Sequence, residues 1–275
     1  MQNSKAALIA GLKARIAGYG PVNAGSRSAI SLGAREMDAA LPDGGLRSGA
    51  LHEIAASAYS GMGAATGFLA ALVACAARAS SLPVLWCETV RSPFDTGRLY
   101  GPGLSAFGVD PANLVLVDPP RDTDCLLVME EALRSRAFAA VVGEMNGSSP
   151  ALNLTATRRL QLAAEEAQTP VLFFTGHAKE GAQGASVAVS RWRIASAPSA
   201  FIPYADESEM LPGCPRWEVE LIRSRGGRPG KWLVEWRGRE CAFSVIAPEK
   251  PSHAIYPSSA ASAADKSEPP FRKTA

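Results

Sequence analysis

The sequence predicts an α/β protein: a doubly wound, mostly parallel sheet with an antiparallel C-terminal extension. Between residues 50 and 175, short and nearly continuous apolar runs alternate with helix-length segments. Parallel strands covered by helices on both faces require this pattern. After Gly176 the helix-length segments stop, and strand-like runs follow one another with a Gly- and Pro-rich turn between two of them. Such a pattern is typical of antiparallel hairpins.

The core elements follow from this alternation in order along the chain. A strand over 50–56 follows a Gly-Gly turn and leads through a small-residue loop into an apolar, Ala-rich helix over 63–80. Asp122 is expected to cap a later helix, and Ser149-Pro150 is expected to supply the N-cap and first residue of the last one. The remaining predicted strands are 83–88, 113–117, 139–145 and 170–175, and the remaining helices are 99–107, 122–136 and 149–168.

The C-terminal extension is predicted to contain strands at 186–196, 217–225, 231–237 and 241–246. The chain then divides into an N-terminal helix and linker over 1–28, a core over 29–247 and a disordered tail over 248–275. The tail is assigned from its Pro-, Ser- and Ala-rich composition without periodicity.

Residues 5–17 form a helix candidate in which Leu8, Leu12 and Ile16 recur every four residues. A helix this short is marginal in isolation and must pack on something. Its stripe either docks on its own core or contacts another protein, and we predict the second: another protein or a second copy of this chain.

Composition excludes several classes of protein. The 275 residues carry a net charge of only +2, so any nucleic-acid site must be local. The five cysteines lie far apart, which argues against a zinc site and suits a reducing cytoplasm. No signal peptide or transmembrane segment is predicted, and residues 61–77 are interpreted as a buried helix. We therefore expect a cytoplasmic protein without membrane contact, metal or cofactor.

The loop after the first core strand occupies the place of a nucleotide-binding motif, G-x-x-x-x-G-K-[ST]. Ala56 stands at the first Gly position, followed by Ser57, and Gly61 stands at the second. Met62 replaces the Lys, and Gly63 replaces the Ser or Thr. A phosphate loop needs that ammonium at the phosphates and that hydroxyl on Mg²⁺. The sequence therefore predicts a degenerate phosphate loop and no enzymatic activity.

Several segments resemble a known family. Gly44-Gly45-Leu46 through Ile54, the loop and helix after it, and residues 107–114 resemble a RecA recombinase core, and the similarity is closer still to the ImuA family. Segments 51–54, 190–194 and 221–232 match recurring segments of that family, the last being the most specific. The resemblance covers roughly residues 30 to 240.

The resemblance implies a RecA-like fold and a role in bacterial SOS mutagenesis by translesion synthesis. It also implies two partners: an ImuB-type, catalytically inactive Y-family polymerase relative and an error-prone C-family polymerase. RecA itself, single-stranded DNA and self-association stay open as further contacts.

A RecA-type ATPase carries an acid after its fourth strand and a catalytic base after its second. Gly143 falls on the first position with Glu144 beside it, and Glu88 falls on the second. These two glutamates are either vestigial site residues or polar strand ends, and the second interpretation is favoured. His177 is expected in a loop, and His52 is expected to be a packed or edge histidine.

The segment 216–239 is locally basic, with seven Lys or Arg residues against three Glu. Arg223, Arg225, Arg228, Lys231 and Trp232 are its candidate binding residues, presented on a projecting, Gly-rich loop. Three interpretations stand: a hairpin with Trp on the core face and Arg in solvent, a protein interface, or a single-stranded DNA site.

The function predicted from these features is a non-catalytic accessory subunit that acts by protein contacts. One alternative is a DNA-dependent ATPase with an atypical phosphate loop. Another is an inhibitor of cell division that resembles SulA.

Overall fold

The structure is a computed structural model that describes residues 29–89, 97–177, 186–204 and 209–247. The predicted N-terminal helix with Leu8, Leu12 and Ile16 lies outside the described residues, as does the predicted tail over 248–275.

Thirteen strands lie in the described part of the chain, and nine of them form one sheet in the order β13-β12-β11-β8-β3-β7-β6-β4-β5. The strands are β1 (Ala29–Ile30), β2 (Leu46–Arg47), β3 (Leu51–Ala56), β4 (Val84–Glu88), β5 (Leu114–Val117), β6 (Ala140–Glu144), β7 (Val171–His177), β8 (Ser190–Ala197), β9 (Phe201–Tyr204), β10 (Glu209–Pro212), β11 (Arg216–Ser224), β12 (Gly230–Arg237) and β13 (Ala242–Ile246).

The six strands from β8 to β5 pair in parallel, whereas β11, β12 and β13 add to β8 by antiparallel pairing. This arrangement confirms the predicted fold class, a RecA-like, mostly parallel sheet with an antiparallel C-terminal extension.

Helices cover both faces of the parallel part of the sheet. They are α1 (Arg35–Ala40), α2 (Met62–Arg78), α3 (Gly101–Ala106), α4 (Asp122–Ser135) and α5 (Leu154–Ala167). The helix α2 packs on one face in a core with Ile54 and Trp192, and α4 and α5 pack on the other face in a core with Leu51 and Val141. The sheet therefore separates two apolar layers, as a doubly wound fold requires.

The segment Tyr59–Arg78 is long and apolar enough to cross a membrane, judged by length and composition alone. Most of it is buried inside the protein, and the side chains from Phe68 to Ala76 are buried on every side of the helix. A helix that is apolar all round is expected at the centre of a core, so α2 is the central core helix predicted from the sequence.

Aromatic side chains connect α2 to the antiparallel extension. The Phe68 ring lies 5.8 Å from the Trp217 ring and 5.1 Å from the Phe243 ring, measured between centroids. Trp236 packs edge-on against Phe243 at 4.9 Å. Pairs of this kind contribute roughly 0.5–1.5 kcal/mol beyond area burial. The extension is thus bound to the core by its aromatic face, as one of the three interpretations of the basic segment proposed.

His52 is a packed core residue, as expected. Its Nε2–H donates to the Arg47 carbonyl at 2.9 Å, and its Nδ1 lies 2.6 Å from the Ser190 hydroxyl, which also accepts from the Trp192 indole N–H at 2.8 Å. Burial lowers the His52 pKa to about 4. The imidazole is therefore neutral at physiological pH, and it satisfies a buried polar network.

Two helix starts differ from the predictions. Asp122 is the first helical residue of α4, not its cap; the N-cap position is held by Arg121 without a side-chain bond. The helix α5 begins at Leu154, because Asn153 caps it by accepting from the Ala156 N–H at 3.0 Å. Ser149 is not the cap, since its hydroxyl donates to Asp122 instead.

The sequence did not predict the short pair β1–β2, the six-residue helix α1 or the hairpin β9–β10. Strands of two residues show no periodicity, and the prolines Pro203 and Pro212 made the hairpin resemble a loop.

Candidate functional site

The loop that the sequence predicts to be a degenerate phosphate loop lies between the end of β3 and the start of α2. Residues 57–60 of this loop are exposed, and Tyr59–Gly61 form a 3₁₀ turn. In a nucleotide-binding protein, free backbone N–H groups of this loop point at the phosphates. The partners of those N–H groups therefore decide what the loop can bind.

Three of the loop N–H groups donate to carbonyl groups of the protein. The Ser57 N–H donates to Ile194 O on β8 at 2.8 Å, and the Gly61 N–H donates to Ala58 O at 3.0 Å. The Met62 N–H donates to Tyr59 O. These three N–H groups are therefore engaged within the protein, and a phosphate that used them would have to displace these bonds.

Met62 at the lysine position is 1% exposed and belongs to the apolar core around α2. Its side chain therefore lies inside the protein rather than in the loop. At the Ser/Thr position, Gly63 is exposed, and a Cβ there would meet nothing within 4 Å. These two positions therefore supply neither the ammonium nor the hydroxyl that phosphate and Mg²⁺ need there.

The two candidate acids lie side by side at the carboxyl end of the sheet. Glu88 and Glu144 are register partners on the parallel strands β4 and β6, and they are 5% and 7% exposed. The Trp86 indole N–H donates to Glu144 Oε1 at 3.0 Å. Burial, together with the nearby Glu88 carboxylate, raises the Glu144 pKa to about 7. Burial also raises the pKa of Glu88, against the lowering effect of Arg98.

Gly143 occupies the position expected for a metal-binding acid, and the space beside it is filled. A Cβ there would lie 2.5 Å from Met129 Sδ and 3.2 Å from the Phe173 ring. Both neighbours are buried. An aspartate at this position would therefore require the core around α4 to repack.

Sequence reasoning missed Asp118 and Arg98, which complete this cluster. The Arg98 guanidinium contacts Asp118 and lies 3.7 Å from Glu88 Oε1. In the described part of the chain, Asp118 Oδ1 is buried and has no hydrogen-bond partner. Asp118 directly follows β5, and carboxyl ends of parallel strands meet at one edge of a sheet, so this position could have been found. Within the described ranges, no group of three or more His, Cys, Asp or Glu side chains is arranged to hold a metal ion.

His177 ends β7, and its exposed ring packs edge-on against Tyr59 of the loop at 5.5 Å between centroids. The expectation that His177 lies in a loop was therefore wrong, because the strand extends to His177 and the contact joins its end to the loop after β3.

The basic hairpin β11–β12 differs from its prediction in the position of its turn. Its turn does not project freely, because the Arg228 N–H and the Ser224 hydroxyl both donate to Ala40 O at the end of α1. Of the three turn glycines, only Gly226 has a positive φ, of 83°. Packing of the turn on α1, a helix that the sequence did not reveal, accounts for the docked position.

The side chains of the hairpin divide by face, as the alternation predicted. Trp217, Val219 and Leu221 are buried, whereas Trp232 is half-buried with its ring over Gly230. The candidate cations Arg223, Arg225, Arg228 and Lys231 are all exposed. Lys231 Nζ lies 3.1 Å from Glu220 Oε1, so its charge is partly neutralised.

Comparison with curated proteins found two similar sequences. The chain is 34% identical over 226 residues to "Protein ImuA" of Caulobacter vibrioides strain NA1000 / CB15N. It has the same identity to "Protein ImuA" of Caulobacter vibrioides strain ATCC 19089 / CB 15. Each match covers 78% of this chain and 87% of the relative. No protein-family model matches the chain.

Proposed function

This chain belongs to the ImuA family, and we propose that it is a non-catalytic, RecA-like accessory subunit of a bacterial error-prone translesion synthesis complex. The setting comes from what the family resemblance implies: mutagenesis after DNA damage, in the cytoplasm. The chain would act there by contacts with other proteins rather than by chemistry.

The observation that carries the non-catalytic role is the state of the phosphate loop. Met62 is buried at the lysine position, and the N–H groups of Ser57, Gly61 and Met62 already donate within the protein. The filled space at Gly143 supports the same proposal, because a hydrolytic site would need an acid there for Mg²⁺.

The proposed direct partner is an ImuB-type inactive Y-family polymerase, within a complex that also contains an error-prone C-family polymerase. Co-purification, which tests this partner, would also detect contacts with RecA, with single-stranded DNA or with a second copy of this chain. Exposed apolar side chains on β9–β10 support a protein contact: Phe201 and Ile202 are each 50% exposed, and Leu211 is 44% exposed. Large apolar side chains grouped on a surface commonly mark protein interaction sites.

Co-purification tests this function. The full chain, tagged and expressed in damaged cells of a bacterium that carries both polymerase proteins, is expected to retain the ImuB-type subunit. An Ile202→Asp/Leu211→Asp variant is expected to retain less, because charge on the hairpin opposes burial. Leu162→Asp is the matched control, since Leu162 is 56% exposed on α5, away from the hairpin. Recovery of a cell-division protein without any polymerase subunit would contradict the proposal.

A further inference from the structure

Most charges on the outward face of the antiparallel extension are paired with each other. On this face, carboxylates on β3, β11 and β12 lie beside cations on neighbouring strands. Cross-strand pairs of opposite charge stabilise a sheet. The pairs are Arg191–Glu53 at 2.8 Å, Arg193–Glu220 at 3.5 Å, Lys231–Glu220 at 3.1 Å and Arg216–Glu235 at 2.8 Å.

Three arginines at one end of the extension differ from the rest. Arg223, Arg225 and Arg228 are exposed, and within the described ranges none of them forms an ion pair with a carboxylate. Arg223 stands directly opposite Arg191 in the β8–β11 register, and Glu53 already pairs with Arg191. The end of the extension therefore carries an excess of positive charge that the described residues do not balance.

The side chains of Arg223 and Arg225 are held in place by hydrogen bonds to backbone carbonyls, whereas Arg228 is anchored through its backbone. Arg223 Nη1 donates to Ser186 O at 3.5 Å, and Arg225 Nη2 donates to Val187 O at 3.3 Å. The backbone of the turn is anchored as well, because the Arg225 N–H donates to Val189 O at 2.7 Å and the Arg228 N–H to Ala40 O at 2.9 Å. Groups that are already ordered lose less entropy when they bind an anion.

We propose that Arg223, Arg225 and Arg228 form a docking site for an acidic, extended segment of a partner protein. The site deepens the proposed function, since it names the chemistry of one protein contact. Arg223 lies on β11 and Arg225 directly follows the last residue of that strand, where its N–H still donates to Val189 O. Two residues of extended backbone span about 6.5–7 Å, which is the expected separation of the two side chains. Carboxylates at every second residue of an extended peptide have the same spacing. Each guanidinium is planar and can donate two parallel hydrogen bonds to one carboxylate.

The surroundings favour a peptide over single-stranded DNA. Single-strand sites combine a basic track with exposed aromatic rings on which bases stack. Here Trp217 and Trp236 are 2% and 1% exposed, and Trp232 is half-buried over Gly230. The neighbouring cations are neutralised by carboxylates, so no basic track continues along the described part of the sheet from these three arginines.

Fluorescence anisotropy with the full chain tests the site. The probes are a labelled peptide of alternating Glu and Ser, the equivalent peptide of Lys and Ser, and oligothymidine of the same length. The alternating Glu peptide is expected to bind, and the Lys peptide is not. Arg223→Ala/Arg225→Ala should weaken binding about tenfold or more, because both charge-assisted contacts to the carboxylates of the peptide are lost. The affinity of Arg223→Lys/Arg225→Lys for the Glu peptide should lie between those of the unaltered chain and the double alanine variant. Lysine keeps the charge but cannot donate two parallel hydrogen bonds to one carboxylate.

Arg237→Ala/Arg239→Ala is the matched control, because both arginines are exposed at the other end of β12. This variant should bind the Glu peptide like the unaltered chain, and circular dichroism should show that both double variants are folded. Equal binding by the Arg223/Arg225 variant would overturn the proposal, as would absence of peptide binding at low salt. Tighter binding of oligothymidine, lost in the same variant, would also overturn it and assign the site to nucleic acid.

The two proposals fail separately. If the chain co-purifies with a polymerase subunit and Arg223→Ala/Arg225→Ala neither loses that subunit nor weakens peptide binding, the docking site is wrong and the function stands. If the Glu peptide binds as expected but no polymerase subunit is recovered, the function is wrong and the site stands.

Discussion

Met62 stands at the lysine position of the loop and is buried in the core. A lysine at this position would have to leave the core or be buried with its charge, whereas methionine fills the same volume as an apolar residue. The helix α2 therefore starts where a nucleotide-binding helix would start, but its first side chain supports packing instead of phosphate binding.

The pKa of Glu144 differs between the folded and the unfolded protein, so its ionisation makes the stability of the fold depend on pH. Its folded-state pKa of about 7 lies above the unfolded value of 4.5, so the folded protein holds this proton more tightly. The resulting stability is present below pH 4.5 and is lost as the pH rises through 7. Ionisation of Glu144 beside Glu88 therefore opposes folding at neutral and alkaline pH.

The Glu144→Gln variant is expected to be more stable than the unaltered chain at pH 8 and equally stable near pH 4.5. The gain should approach about 3 kcal/mol at most, because a shift of one pKa unit corresponds to about 1.4 kcal/mol. Gln can still accept the Trp86 indole N–H. Thermal unfolding across this pH range measures the difference. A variant that is less stable at pH 8 would show that the ionised carboxylate is a stabilising group.

Among the elements, the hairpin β11–β12 depends on a contact that is distant in sequence. Its turn packs on the end of α1, and a Cβ on Gly227 would overlap the Ala40 carbonyl oxygen and the Ser224 hydroxyl. The turn conformation, and with it the position of Arg228, is therefore set by close approach of two backbones rather than by the turn residues alone.

Gly227→Ala is expected to destabilise the protein by roughly 1–3 kcal/mol, the usual range for an overpacked site. Urea unfolding of the full chain measures the loss. Gly63→Ala is the control, since a Cβ at Gly63 meets nothing within 4 Å and Ala favours a helix. If Gly227→Ala is as stable as the unaltered chain, the turn is not packed against α1 in solution.

At the scale of the whole molecule, the sheet brings the ends of β3, β4, β5, β6 and β7 together at one edge, where α/β proteins bind ligands. In this chain that edge holds the loop after β3, a buried pair of glutamates and Asp118 with Arg98. The RecA-like fold is retained, and Met62, Gly63 and Gly143 stand where an ATPase would carry a Lys, a Ser or Thr, and an acid.

ATP with Mg²⁺ is therefore expected to leave the melting temperature unchanged. A ligand present at one hundred times its dissociation constant would stabilise the fold by about 2.7 kcal/mol, which differential scanning fluorimetry detects. Met62→Lys/Gly63→Thr should not restore binding, because Gly143 still lacks an acid and Met129 fills its space. A rise in melting temperature with millimolar ATP, or micromolar affinity by calorimetry, would refute the non-catalytic proposal.

Some of this structure was predictable because the signals are local. Apolar runs alternating with helical segments predict the parallel sheet, and substitutions at Met62 and Gly63 are visible in the motif itself. The buried face of β11 also follows from alternation along the strand. The start of α5 was misplaced because Ser149 and Asn153 are both good caps, and the choice depends on the bond from Ser149 to Asp122.

The sequence by itself determined the fold class, the family and the presence of Met62 and Gly63 at the Lys and Ser/Thr positions of the loop, since each depends on residue types at fixed spacing along the chain. Only the tertiary structure decided which charges remain unpaired and which strand ends meet. The meeting of Glu88 with Glu144 depends on the β4–β6 register, and the pairing of Lys231 with Glu220 depends on the β11–β12 register. Those contacts join residues on different strands, so they affect the stability of the protein only once the sheet has formed.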